Sequence, residues 1–148
     1  MIAVTVRALA AAFLLLAPVA GTQARASLYE RLGGSDGVAS IANDLVDRSS
    51  TDPKIGPHFK DSNLQRVKSK LAELLCELSG GPCRYSGDNM KVTHAGHHIS
   101  QADFYDLVDN LRSVLRAHHV DQGATNELLK LLAPMKRDIV EPPAPRHP

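Results

Sequence analysis

The chain has 148 residues, with 17 lysines and arginines against 16 acidic residues, a formal charge of +1 and no tryptophan. That length suits one domain, and the scattered, nearly balanced charge offers no basic stripe for nucleic acid. Beyond residue 26 no stretch is apolar and long enough to span a bilayer.

Residues 1–26 carry Arg7, no acidic residue, and an apolar run over residues 8–17 centred on Leu14, Leu15 and Leu16. They end in Ala24-Arg25-Ala26, an A-x-A pattern. This reads as a secretory signal peptide cleaved before Ser27, because the apolar run falls short of the roughly 20 residues of a membrane anchor. Its removal takes Arg7 and Arg25, leaving 15 basic against 16 acidic residues, a charge of −1. The expected location is periplasmic or secreted, with no membrane association after cleavage.

Residues 28–32 form a short amphipathic helix stopped by Gly33-Gly34. Ser35 or Asp36 then caps a helix over 35–49, whose apolar positions Val38, Ile41, Ala42, Leu45 and Val46 recur at spacings of three and four. Pro53 and Pro57 mark an irregular connection containing His58 and Phe59. Residues 61–63 cap a second long helix, 64–78, striped by Leu64, Val67, Leu71, Leu74, Leu75 and Leu78. Gly80-Gly81-Pro82 breaks it. The glycine-rich stretch 83–96 is expected to be a long loop holding one short helical turn from Met90 to His94. Ser100 and Asp103 make a capping box that opens a helix over 101–118. After Gly123 a last helix carries Leu128, Leu129, Leu132, Met135 and Ile139, bent at Pro134, and residues 141–148 form a disordered tail. No segment alternates as a strand does, so the class is all-α.

The two cysteines, Cys76 and Cys83, are separated by a loop short enough for its ends to meet. In an exported chain that pair favours a disulfide over two free thiols. All seven histidines follow the leader. His147 lies in the tail, His118 and His119 stand at a helix C-terminus where imidazolium suits the dipole, and His97 and His98 occupy a polar loop. His94 closes the one helical turn inside the long loop. On spacing alone it reads either as a hydrogen-bonded structural residue or, with His97 and His98, as part of a zinc or nickel site. No H-E-x-x-H motif, nucleophile signature or phosphate loop is present.

Four segments taken together carry a family resemblance. They are Leu28-Tyr29-Glu30-Arg31-Leu32-Gly33-Gly34, Gly80-Gly81-Pro82-Cys83-Arg84-Tyr85-Ser86-Gly87, Met90-Lys91-Val92-Thr93-His94-Ala95-Gly96, and Ile99-Ser100 with Phe104. In order and spacing the chain resembles the group I truncated haemoglobins across residues 28–140. The resemblance implies a globin domain over 27–140 with a two-over-two helical sandwich, in which helices 64–78 and 101–118 pair with 35–49 and 125–140. It implies heme b as cofactor and His94 as the proximal ligand of its iron, the other imidazole nitrogen donating to a carbonyl or water. Phe59 matches an aromatic that packs on the heme, Lys70 a partner of a heme propionate, and Met90, Ile99, Phe104, Leu107 and Leu111 its walls, with Tyr85 alongside.

On the distal side the chain departs from the family. Val46 stands where many members carry a hydrogen-bonding tyrosine, and Val67 and Leu71 replace residues that are often polar. A charge-assisted donor stabilises bound O₂ by roughly 1–3 kcal/mol, so the expectation is weak preference for O₂, fast O₂ release and a five-coordinate ferrous heme. His58 and Lys68 are the polar side chains that could swing in as a sixth ligand. The implied partners are a diatomic gas (O₂, CO or NO) and an unknown reductase, on a monomer or weak dimer. NO dioxygenase or peroxidase-like turnover, or a heme or non-heme metal carrier, are the competing functions.

Overall fold

The computed structural model describes residues 25–142. Most of the expected signal peptide (1–24) and most of the expected tail (143–148, with His147) lie outside the described residues. Among those described, every regular element is helical.

Ser27 caps α1 (Leu28–Arg31) in a reciprocal box. Its hydroxyl accepts from the Glu30 amide at 3.2 Å, and its own amide donates to the Glu30 carboxylate at 2.7 Å. Helix α2 (Gly34–Ser50) begins without a side-chain cap, contrary to the expected role of Ser35 or Asp36. Gly33 and Gly34 take φ of 91° and 63°, which glycine adopts without steric cost, so the chain has turned into the helix before those residues are reached. One turn on, a Cβ at Gly37 would overlap the carbonyl of Leu32. Backbone therefore packs directly on backbone where α1 meets α2.

The Pro-bounded connection contains a 3₁₀ turn, Gly56–Phe59, with proline in its first turn where a missing amide costs nothing. Asn63 then caps α3 (Leu64–Leu78), accepting from the Arg66 amide at 3.1 Å. Residues 79–89 hold no helix, and α4 (Met90–His94) is a short turn with no buried residue, as the glycine-rich composition predicts. The box of Ser100 and Asp103 opens α5 (Gln101–Ala117). The last helix is broken into pieces: α6 (Gln122–Leu132), a 3₁₀ turn Ala133–Met135, and α7 (Lys136–Ile139). Pro134 lacks the amide that would continue α6, so the chain tightens instead of bending smoothly. Asp121 caps α6 through the Ala124 amide at 2.9 Å, which puts Gly123 inside the first turn rather than ahead of it.

Ile41, Leu75, Leu115 and Leu128 are at most 1 % exposed and come one from each of α2, α3, α5 and α6. These four long helices form the expected sandwich, α2 lying against α3 and α5 while α6 closes on α1 and α5. Burying such a side chain is worth about 1.5–3 kcal/mol, so this cluster fixes the frame. No helix among the described residues is long and apolar enough to cross a membrane.

Cys76, in the last turn of α3, is bonded to Cys83, with the two Cα atoms 5.7 Å apart. The bridge ties the start of the non-helical segment to a buried helix end. It closes a loop of sequence separation 7, for which the chain-entropy model gives about 2.5 kcal/mol. Replacing both cysteines by alanine is therefore expected to destabilise the fold by about that amount. Urea denaturation of the native and double-variant chains measures it, and reducing agent should bring the native midpoint toward the variant's.

Candidate functional site

Between α2, α3, α5 and the C-terminal elements α6 and α7 the core gives way to a cavity of about 610 Å³. That is within the size range of sites for a small organic ligand or cofactor. Val46 enters it from α2, and Val67 and Leu71 from α3. Phe104, Leu107 and Leu111 line it from α5, Phe59 from the 3₁₀ turn, Tyr85 and Met90 from the segment after α3, and Leu129, Leu132 and Ile139 from α6 and α7. Ile99 is the one expected wall residue that does not border it. It is half-buried, and its carbonyl accepts from the Glu141 amide at 2.9 Å.

His94 borders the same cavity. Its Nδ1 lies 2.8 Å from the carbonyl of Met90, one turn back along α4. A carbonyl can only accept, so Nδ1 carries the proton and Nε2 keeps its lone pair. Burial pushes the imidazole pKa below its ordinary value, with the Met90 bond opposing in part and nearby His97 adding to the depression. A half-buried neutral imidazole with one nitrogen committed to a carbonyl is the donor that transition metals such as iron accept.

The cavity rim is cationic. Lys70 lies there, but its ammonium is bound at 2.8 and 2.9 Å to the two oxygens of Glu73 and also to the Ser86 hydroxyl. Glu73 in turn accepts from the Ser86 amide at 3.0 Å and hydroxyl at 2.8 Å. Lys70 is thus shared with a carboxylate that staples the segment after the disulfide to α3. Arg66 and Arg112 also border the cavity, and neither is in a salt bridge with a carboxylate of the described residues. Sequence reasoning passed over both arginines. Arg66 stands four residues before Lys70, on the same helical face, which was the available signal.

Other polar candidates fall outside. The His58 imidazole sits 3.5 Å from Asp103, and Lys68 is bound to Asp47 at 2.6 Å; neither borders the cavity. His118 Nε2 donates to the Asp44 carboxylate at 2.7 Å, away from the cavity, and His119 takes a left-handed φ of 56° at the end of α5. His97 is exposed and His98 is engaged by Glu141, so the alternative three-histidine metal site is not assembled; no three-ligand cluster occurs among the described residues. One polar wall group was missed. Ser49 is fully buried beside the cavity, one turn past Val46, and its hydroxyl has no hydrogen-bond partner.

A family model described as bacterial-like globin matches residues 27–141. The chain is 30 % identical over 114 residues to the group 1 truncated hemoglobin GlbN of Mycolicibacterium paratuberculosis, covering 77 % of this chain and 84 % of that protein. The Fe(III) crystal structure of Tetrahymena pyriformis truncated hemoglobin superposes with a TM-score of 0.75 at 24 % identity, over 79 % of this chain and all of the other. A Synechococcus 2/2 hemoglobin with covalently attached heme gives 0.72 at 21 % identity, over 78 % and 98 %.

Glu73 makes the clamp on residues 85–86 sensitive to acid. Hydrogen bonds from Lys70 and from the Ser86 amide and hydroxyl hold its pKa at about 2, below the ordinary 4.5. Its stabilisation is complete above pH 4.5 and is lost as pH falls from there toward 2. Glu73→Gln should therefore show a shallower fall of the thermal midpoint across that window. Its Ser86 amide should exchange about tenfold faster than in the native chain at neutral pH.

Proposed function

Because the chain belongs to the bacterial-like globin family, and within it to the group I truncated haemoglobins, we propose that His94 holds its heme iron and that the protein reversibly binds O₂, CO or NO in an exported, oxidising compartment. It is a heme globin, and diatomic gas binding follows from the family. One observation carries the assignment of His94: its Nδ1 is committed to the Met90 carbonyl while the ring borders the apolar cavity. The disulfide Cys76–Cys83 supports the oxidising compartment, as does the leader pattern of residues 1–26.

Heme, once bound, would supply an iron that takes up small gases reversibly. Every other task falls to side chains of the chain. Phe59, Phe104, Leu107 and Leu111 give the porphyrin an apolar bed, and Met90 fixes the tautomer of His94. Arg66 and Arg112 border the cavity without a carboxylate partner among the described residues and could meet propionates, as could Lys136, which is bonded to the Tyr105 hydroxyl; Lys70 joins them only in competition with Glu73. Val46, Val67 and Leu71 present no donor to a ligand, which leaves the Ser49 hydroxyl, one turn past Val46, as the polar group of that wall. Such a wall favours gases that need no hydrogen bond over O₂, and it predicts faster O₂ release than in relatives bearing a tyrosine. It also lacks the acid–base group that peroxide cleavage wants, so ligand binding is preferred to peroxidase-like turnover.

Absorption spectra of the oxidised, reduced and CO-treated protein test the assignment. A Soret band is expected in the native chain, with heme content reduced at least about tenfold in His94→Ala. A folded, colourless protein produced with ample heme would refute it. Val46→Tyr, which restores a donor on the α2 wall, should slow O₂ dissociation by about one to two powers of ten, with a smaller effect on CO; stopped-flow measurement decides.

A further inference from the structure

The helix that presents His94 cannot hold itself. Helix α4 is five residues long, has no fully buried residue, and passes at Ala95 into an extended conformation, φ −58° and ψ 130°. A single turn of helix is unstable on its own, so the direction of the imidazole must be set by what grips α4 at its two ends. At the N-terminal end the Asn89 side chain accepts from the Val92 amide at 3.0 Å, and the Tyr85 hydroxyl donates to the Asp88 carbonyl at 2.8 Å.

At the C-terminal end the grip comes from the far end of the chain. Gly96 and His98 both take left-handed backbone, φ 78° and 53°. Their amides turn toward the Glu141 carboxylate, donating to Oε1 at 2.9 and 3.1 Å. The His98 Nδ1 lies 3.0 Å from Oε2, and the Glu141 amide donates to the Ile99 carbonyl at 2.9 Å. Left-handed φ is costly for a non-glycine residue and persists when its surroundings over-determine it. Here the surroundings are one carboxylate seated in a nest of backbone N–H groups. Residues expected to form a loose tail thus begin with an anchored one, and α7 is packed against α4 beside it.

We propose that Glu141 is a positioning residue for His94: by clamping the turn that follows α4, it sets how the imidazole reaches into the cavity. The inference rests on the reading of His94 as the iron ligand. Without the carboxylate the turn 96–98 loses its acceptors, His98 relaxes from its left-handed conformation, and the C-terminal end of α4 keeps only its own bonds, the packing of α7 and the Glu141–Ile99 backbone bond.

The test uses the full holoprotein and compares the native chain with Glu141→Ala and Glu141→Gln. The readouts are the iron–histidine stretching band of the ferrous form by resonance Raman, the rate of heme transfer to an excess heme acceptor, and amide exchange at Gly96 and His98. Glu141→Ala should shift and broaden the band, speed heme loss by about fivefold and deprotect both amides. Glu141→Gln keeps one acceptor oxygen and should fall between native and alanine. If alanine deprotects Gly96 and His98 while the band keeps its position and width and heme loss changes less than twofold, Glu141 is merely a tether and the inference fails. If the native holoprotein itself shows no iron–histidine band, the assignment of His94 fails and this inference falls with it.

Discussion

Everything the cavity can do depends on the bond from His94 Nδ1–H to the Met90 carbonyl, 2.8 Å long and local to one turn of helix. It removes one of the two imidazole nitrogens from competition, fixes the tautomer and leaves a single lone pair for a metal. Burial works in the same direction by disfavouring the imidazolium form. A ligand atom must be deprotonated before it can bind iron, and here the fold selects that state before any cofactor arrives. The rest of the structure puts this imidazole on the border of a largely apolar cavity.

The frame and the site divide the molecule between them. Rigid packing is concentrated where Ile41, Leu75, Leu115 and Leu128 meet, and the cavity opens toward the other ends of the same helices. The side facing His94 is held by discrete ties instead: the disulfide, the Glu73 clamp on Ser86 and the Glu141 nest. Unwound chain has no ladder of backbone bonds to stabilise it. Each tie therefore replaces a share of what a regular helix would supply, and each recruits a group from another part of the chain.

Charge and polarity are segregated in the same economical way. Cations sit at the cavity mouth, where propionates would remain solvated, and are paired to different degrees: Lys70 tightly, Arg66 and Arg112 not at all among the described residues. Deeper in, the walls offer only apolar surface and the unpartnered Ser49 hydroxyl. A buried hydroxyl without a partner costs about 1–3 kcal/mol, which makes Ser49 the polar exception in a wall otherwise built to give a bound gas no hydrogen bond.

From the sequence alone came the all-α class, the long helices to within a few residues, the unwound segment with its single turn and the favoured disulfide pair, while His94 was singled out by its likeness to a family motif and not by spacing. These depend on periodicity, caps and breakers acting over one or two turns, and on a motif that is contiguous in the chain. Tertiary structure decided what depends on distant partners: Lys70 diverted to Glu73 and Ser86, His118 drawn to Asp44 across 74 positions, and Glu141 closing on Gly96 across 45. It also turned Ile99 from the wall and moved the start of α2 ahead of Ser35, because two left-handed glycines set that reversal. A side chain's type is written in the sequence, but its partner is whichever group the folded chain brings within 3 Å, and only packing settles that.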